Sequence, residues 1–289
     1  MVAVSEHLLE IAKALVRIKD GNVEVLSDPL ISSCPLSRSL YGIEKESRES
    51  VSRVLEAHMK ELGMYGPDRV LELREKPVSF GASEILMDAM TEGLVDSAVV
   101  VCDGAGTVVT SRPEVLQAIG AHMTGLIQTD PIEEIQQGLE ERGCLLLDQQ
   151  ATIDQKKGFK RAVEAGYQKV AVTVAASCVK DARAIREMGA DLGVRPHLLA
   201  VHTTAITYDQ AAALAECCDL VWSCASKAVR EVVGKAALLQ MGVSIPVFAM
   251  TVEGKRLLLN RALYFSGPLA MHRAGLPLVP SDKQPQPLI

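Results

Sequence analysis

Polar residues suited to binding or catalysis follow a short apolar run near residue 100. The run 97–102 leads into Cys102-Asp103-Gly104-Ala105-Gly106-Thr107. Two glycines separated by one residue allow the backbone to approach a ligand without obstruction by Cβ atoms. A dinucleotide-binding fingerprint would need a third glycine, and Val109 stands in its place. The pattern predicts a binding loop, or else a tight turn that Asp103 caps.

Two further residues at predicted element ends are titratable. His202 ends the apolar run 197–202, and an ordinary histidine pKa of about 6.5 would let it transfer protons at neutral pH. The alternative is a half-buried histidine that is bonded to backbone. Lys227 lies in the first turn of a predicted helix, where the helix dipole disfavours a cation. Either an anionic ligand or simple exposure to water would offset this charge.

We therefore predict that a small anion, such as a carboxylate, phosphate or sulfonate, binds at the carboxyl ends of the strands. The predicted ligand-binding residues are Gly104, Gly106, Thr107, Ser177, Thr203, Thr204, Ser226 and Lys227. The predicted catalytic residues are Asp103, His202, Cys102 and Cys224. No motif identifies a cofactor or a reaction, so an enzyme and a cofactor-handling protein both fit.

The seven cysteines include no C-x-x-C pair. Those in a proline-containing loop or at predicted strand exits are Cys34, Cys102, Cys178 and Cys224. Thiolates from separate strands can converge on a metal or an Fe–S cluster, which makes a thiolate-bound metal protein one alternative. Because ligand spacing is absent, packing as small hydrophobes is favoured and no metal ligands are predicted. An odd count in a chain of this length indicates thiols rather than a disulfide framework.

The scaffold for these residues is predicted by an alternation that begins near residue 67, where short β-branched runs are separated by helical patterns. The predicted strands are 69–73, 97–102, 143–147, 169–175, 197–202, 219–223 and 246–250. The predicted helices are 82–92, 113–121, 131–142, 156–166, 179–192, 208–217, 226–241 and 252–264. The fold class is therefore α/β, a mostly parallel sheet covered by helices on both faces as a three-layer sandwich. A closed eight-stranded barrel is the alternative.

Three regions are predicted along the chain. Residues 1–70 form an α+β segment with a helix and a β-hairpin, because the runs 15–18 and 23–26 flank a turn-rich spacer. Residues 71–265 form the α/β domain. Residues 266–289 form a proline-rich tail that cannot continue a helix, and it is expected to trail over the surface or onto a neighbour.

Composition excludes several classes of partner. Lys and Arg number 30 against 36 Asp and Glu, a net charge of −6 that offers no basic surplus for nucleic acid. The longest apolar runs are strand-length, far below the roughly 20 residues that span a bilayer. The N-terminal residues have no basic region followed by an apolar one, so no secretory signal is predicted. We expect a cytoplasmic protein with no membrane or nucleic-acid partner, and a homo-oligomer or a partner enzyme stays open.

Four strings of residues carry a family resemblance: Phe80-Gly81-Ala82-Ser83-Glu84-Ile85-Leu86, Val99-Val100-Val101-Cys102-Asp103-Gly104-Ala105-Gly106-Thr107, Val201-His202-Thr203-Thr204 and Cys224-Ala225-Ser226-Lys227. In this order they resemble the methanogenesis marker protein 8 family, from the opening hairpin to about Phe265. The resemblance implies a cytoplasmic protein linked to methanogenesis or to alkyl-coenzyme M metabolism, and it assigns no activity to any residue. A non-catalytic assembly or maturation partner of a methanogenesis enzyme is the alternative to ligand binding.

Overall fold

The computed structural model describes residues 5–122 and 125–289, so Met1–Val4 of the predicted N-terminal segment and two residues of the predicted α/β domain lie outside the described residues. The strands are β1 (Glu6–Ile11), β2 (Ala14–Lys19), β3 (Asn22–Val25), β4 (Ser97–Cys102), β5 (Gly106–Thr110), β6 (Gly125–Thr129), β7 (Leu145–Leu146), β8 (Val170–Ala175), β9 (His197–Val201), β10 (Leu220–Trp222), β11 (Leu239–Met241) and β12 (Val247–Ala249). The α-helices are α1 (Pro35–Tyr41), α2 (Arg48–Leu62), α3 (Ala82–Thr91), α4 (Pro113–Gly120), α5 (Glu133–Glu141), α6 (Gln155–Glu164), α7 (Val179–Leu192), α8 (Tyr208–Cys217), α9 (Gly234–Ala236) and α10 (Val252–Leu263). Short 3₁₀ turns lie at Ala176–Cys178 and Ser281–Lys283, and a π-helical turn at Val229–Val233.

Within the described residues, the larger sheet is open and has eight strands in the order β11-β12-β10-β9-β8-β4-β5-β7. Its four central strands, β10, β9, β8 and β4, pair in parallel, and antiparallel strands flank them on both sides. The α/β fold class is therefore confirmed, with the parallel part confined to the centre. Because the central strands are parallel, their carboxyl ends meet at one edge of the sheet.

Helices cover both faces of this sheet, which explains why its strands are apolar almost throughout. Side chains alternate between two cores along each strand, since successive Cβ atoms point to opposite faces. Val100 faces a core formed with α3, α4, α5 and α10, whereas Val99 faces a core formed with α6, α7 and α8.

Three sequence-based assignments were wrong. Residues 69–73 form no strand, and their backbone bonds to helical segments instead: the amide of Val70 donates to the carbonyl of Leu62 at the end of α2, and that of Leu73 to the carbonyl of Glu114 at the start of α4. The predicted helix 226–241 is helical only from 227 to 236, through a π-helical turn and the short α9, and its last part forms β11 instead. The predictions also omitted β5, which turns back on β4 as a hairpin through Gly104 and Gly106, both with positive φ.

The smaller sheet is antiparallel, with the order β3-β2-β1-β6. The predicted hairpin is confirmed: β2 and β3 are joined by Asp20 and Gly21, both with positive φ, as a two-residue turn requires. Strand β6 comes from the middle of the chain and closes this sheet against β1. The amide of Gly104 donates to Oγ1 of Thr129 on β6 at 2.8 Å, so the small sheet is fastened beside the carboxyl edge of the large one.

The proline-rich tail returns to this edge of the protein. Gln286 exchanges backbone hydrogen bonds with Ser33, and Ile289 exchanges them with Ala225 and Lys227. The tail thereby connects the N-terminal segment to the chain that follows β10. None of the helices in the described part of the chain is both long and apolar enough to cross a bilayer.

Candidate functional site

A cavity of about 600 Å³ lies between the small sheet and the carboxyl ends of β9 and β10. This volume and position are typical of small-molecule sites in α/β proteins. Its walls include the β1–β2 turn, α1, the start of α3, the segments after β9 and β10, and the loop 242–245. Helix α2 contributes Val54 and His58. Much of the lining is apolar, including Ile11, Leu40, Phe80, Trp222 and Ile245.

The two strand exits that border the cavity have unusual backbone conformations. His202 has a φ of 53° and Cys224 a φ of 33°, a region that non-glycine residues seldom occupy. Hydrogen bonds between the exits hold this arrangement: the hydroxyl of Thr203 donates to the carbonyl of Trp222 at 2.6 Å. The amide of Ala225 donates to Oγ1 of Thr204 at 3.3 Å. Strained residues that are supported in this way concentrate at functional sites.

His202 is the predicted catalytic histidine, and it lines the cavity. Two charges act on it, Glu10 near the end of β1 and Lys13 in the turn that follows, and these two form an ion pair of 2.8 Å. Burial lowers the pKa of His202, while the negative charge of Glu10 opposes that shift. The imidazole is therefore neutral at pH 7 and can donate or accept a hydrogen bond.

A cluster of Tyr41, His58 and His122 lines another part of the cavity. The Tyr41 hydroxyl lies 2.8 Å from Nε2 of His58 and 3.5 Å from Nδ1 of His122. Burial lowers the pKa of His58 to about 4, so this imidazole is neutral at physiological pH. Sequence reasoning missed the cluster because His58 occupies the apolar stripe of α2, and nothing in the sequence connects it with residues 41 and 122.

Two thiols line the same cavity from opposite parts of the chain. Cys34 precedes α1 and Cys224 follows β10, and both are free. Burial raises the pKa of the Cys224 thiol. The other two cysteines of the predicted set lie elsewhere: Cys102 is buried within the sheet and Cys178 is exposed at the start of α7. Over residues 5–122 and 125–289, no three side chains of His, Cys, Asp or Glu lie close enough to hold a metal ion.

Arg230 is a buried cation next to this wall of the cavity. Only 3% of its surface is exposed, and its guanidinium donates to the carbonyls of Ser223, Cys224, Ser226 and Ser244 and to the side-chain oxygen of Gln284. None of these partners carries a negative charge. Burial lowers the pKa of Arg230 to about 10, which still leaves it charged at pH 7. A positive charge with no acidic partner among the described residues therefore lies directly behind Cys224 and Ser244, which line the cavity.

The start of α3 forms a further part of the wall. Gly81 is the N-cap and has no side chain to cap with, and the Glu84 carboxylate accepts hydrogen bonds from the Val78 amide and the Ser83 hydroxyl. Burial raises the pKa of Glu84, and these hydrogen bonds oppose that shift. Glu84 thus uses part of the hydrogen-bonding capacity of this helix end, which leaves less of it for an anion.

The loop that follows β4 lies at the same edge of the sheet as His202, with β8 between their strands, but it does not reach the cavity. Asp103 is 4% exposed and is bonded to Nε of Arg69 at 2.8 Å and to the Tyr65 amide at 2.6 Å. A Cβ on Gly106 would lie 2.3 Å from backbone atoms of Ala151, which leaves no space for a ligand there.

The remaining predicted residues of this loop have structural partners. Thr107 accepts a hydrogen bond from the Asp154 amide and donates to the Gln155 side chain at the start of α6. Gly104 faces Ile132 and Ile135 in the core. Cys102 is buried, and burial raises the pKa of its thiol to about 12.

Three other predicted ligand-binding residues also lie away from the cavity. Ser177 is exposed in the 3₁₀ turn after β8, and Ser226 is buried and accepts a hydrogen bond from the Val229 amide. Lys227 has a side chain that is 60% exposed and lies 4.0 Å from Glu231. The structure thus brings His202, Thr204 and Cys224 to the cavity, with Thr203 directly behind them.

Comparison with known proteins identifies the family. The family described as "Uncharacterized protein conserved in archaea (DUF2099)" matches residues 7–263. The chain belongs to this family. It is also similar to "Uncharacterized protein MJ0054" of Methanocaldococcus jannaschii, with 36% identity over 285 residues, which cover 98% of this chain and 99% of that protein. The matched region includes both strand exits of the cavity.

Proposed function

We propose that this protein binds a small organic anion, with an apolar body and one negatively charged group, in the cavity at the ends of β9 and β10. The observation that carries the proposal is the buried charge of Arg230 beside a largely apolar cavity of about 600 Å³. A buried cation without an acidic partner is costly, and an anion placed near it recovers part of that cost.

The anion is expected near Cys224 and Ser244, because the Arg230 guanidinium is bonded to their carbonyl oxygens. His202 and Thr204 would supply hydrogen bonds from the neighbouring strand exit. With the histidines neutral, Lys13 carries the only positive charge among the described side chains that line the cavity. The carboxylate of Glu10 largely offsets this charge. Arg230 therefore replaces Lys227 as the source of positive potential in this proposal.

The cellular role that we propose is linked to methanogenesis or to alkyl-coenzyme M metabolism. Its support is the resemblance of the strings around Phe80, Asp103, His202 and Cys224 to the methanogenesis marker protein 8 family. A cytoplasmic location accompanies this role. Sulfonates, carboxylates and phosphates all meet the chemical requirement of the cavity, so each class belongs in the test.

The test is a thermal-shift and calorimetric screen of the full chain with acetate, hexanoate, methanesulfonate, hexanesulfonate and inorganic phosphate. Hexylammonium and hexanol serve as the cationic and neutral comparators. We expect the six-carbon anions to bind more tightly than their one- and two-carbon counterparts, because each buried CH₂ contributes about 0.8 kcal/mol. We also expect both comparators to bind more weakly than hexanoate.

Two matched lysine variants locate the site. Lys13→Ala leaves Glu10 unpaired at the cavity wall, so we expect anion affinity to fall by about fivefold, or about 1 kcal/mol. Lys227→Ala changes an exposed lysine outside this cavity and should leave affinity unchanged. Equal responses in the two variants would contradict the location. A flat response to every compound would contradict ligand binding and favour the assembly-partner role.

A further inference from the structure

We infer that Tyr41, His58 and His122 form a binding site for one divalent transition-metal ion, such as zinc, that opens onto the cavity. The Tyr41 oxygen, Nε2 of His58 and Nδ1 of His122 converge from α1, from α2 and from the segment after α4. These are the donor types that zinc and related ions accept in proteins. The inference does not rest on the proposed anion, which belongs to a different part of the cavity wall.

The distances in the cluster fit a shared ion. With metal–ligand bonds of about 2.1 Å, the ligand atoms of a tetrahedral site lie about 3.4 Å apart. The Tyr41 oxygen lies 2.8 Å from one imidazole nitrogen and 3.5 Å from the other, on either side of that value. The two imidazole rings are tilted by 65° with centres 5.2 Å apart, so they are not stacked, and one nitrogen of each ring lies near the Tyr41 oxygen.

The hydrogen bonds of the cluster leave a lone pair for a further group. Each neutral imidazole has one nitrogen lone pair, and the Tyr41 hydroxyl can donate its single proton to only one of them. At least one nitrogen lone pair in the cluster is therefore not used by Tyr41.

Charges of both signs act on the cluster. The Arg69 guanidinium disfavours a further positive charge at His58 and His122, and Asp103 balances it at 2.8 Å. Glu61 supplies a negative charge that acts on Tyr41 and His122.

The third ligand must lose a proton. Burial raises the pKa of Tyr41 to about 12 in the metal-free protein, and a bound dication lowers the pKa of its ligands. The hydroxyl proton passes to solvent as the metal–oxygen bond forms. Three protein ligands leave a fourth position for water or for a molecule in the cavity, as in zinc sites that act on substrates.

The test uses the full chain, treated with a chelator and then dialysed free of it, and titrated with Co²⁺ and Zn²⁺. We expect one Co²⁺ per chain, with the strong visible absorption of a four-coordinate site, and displacement of Co²⁺ by Zn²⁺. Tyr41→Phe removes one oxygen and keeps the ring, and His122→Ala removes a half-buried imidazole. Each variant should weaken Co²⁺ binding by at least about tenfold. Loss of a residue that only hydrogen-bonds to a metal ligand already costs about tenfold or more in affinity, so loss of a ligand itself should cost at least as much.

His272→Ala is the matched control, since it removes an exposed imidazole in the tail and should keep wild-type affinity. Thermal melting of the metal-free variants checks that each is folded. Wild-type protein that binds no stoichiometric Co²⁺ would overturn the inference. So would wild-type affinity in both ligand variants, or an equal loss in His272→Ala. The anion screen is run on metal-free protein, so a negative metal result leaves that proposal standing.

Discussion

Replacing Asp103 by asparagine tests whether this residue holds the fold together rather than acting in a site. Asp103→Asn removes the carboxylate that balances Arg69, and both side chains are almost fully buried, at 4% and 1% exposure. Arg69 would keep its bonds to the carbonyls of Val70 and Ala118, both of 3.2 Å, but its charge would be uncompensated. Breaking such a buried pair from one side destabilises proteins by about 3–5 kcal/mol, so we expect a loss in this range.

Urea unfolding, followed by the fluorescence of Trp222, the single tryptophan, measures this change. Glu44→Gln is the control, because it breaks an exposed ion pair with Arg38 that has the same 2.8 Å separation. The control should lose about 1 kcal/mol or less. The double variant Arg69→Met/Asp103→Leu should recover much of the stability, since apolar residues of similar volume can replace a buried ion pair. Wild-type stability in Asp103→Asn, together with a lost response to anions, would refute this reasoning and favour a role in binding.

Three further predictions concern backbone strain, pH and thiol reactivity. The loss of unfolding free energy in Gly106→Ala should exceed the loss in Gly21→Ala by more than about 1 kcal/mol, because both glycines have positive φ but only Gly106 lies against other backbone atoms. Equal losses of the two variants in urea unfolding would contradict this. The free energy of unfolding of the metal-free protein should fall as the pH drops from 6.5 to about 4, because His58 stays neutral in the folded state while the unfolded chain takes up the proton. This difference contributes up to about 3 kcal/mol, and the pH dependence of unfolding should be smaller by that amount in His58→Gln. Iodoacetamide labelling, followed by mass spectrometry, should modify the exposed Cys178 first and spare the buried Cys102, whose pKa is about 12. Equal labelling rates of the two cysteines would contradict this prediction.

Much of the fold could be predicted from the sequence because local patterns determine it. The β2–β3 hairpin follows from a two-residue turn that only a few residue types can form, and the four parallel strands follow from continuous apolar runs between helical patterns. The edge at which polar residues collect also follows, because parallel strands all end on the same side.

The sequence could not decide which residues at that edge meet in a cavity. Asp103 and His202 look alike as polar residues after strands, yet one is bonded to Arg69 from the N-terminal segment and the other faces the β1–β2 turn. The β1–β2 turn belongs to the small sheet, which β6 completes from a distant part of the chain, and Arg69 follows α2, which packs on that sheet. The hydrophobic periodicity of a sequence indicates local elements, and it does not indicate that strands as distant along the chain as β1 and β6 pair.

Sequence alone determined the fold class, the strand exits and the net negative charge, since each depends on residue type and spacing along the chain. The tertiary structure decided that Arg230 is buried without an acidic partner, and that Tyr41, His58 and His122 lie together. Charge balance and ligand geometry depend on distances between side chains from separate elements. Those distances are fixed only when the two sheets and the tail pack together.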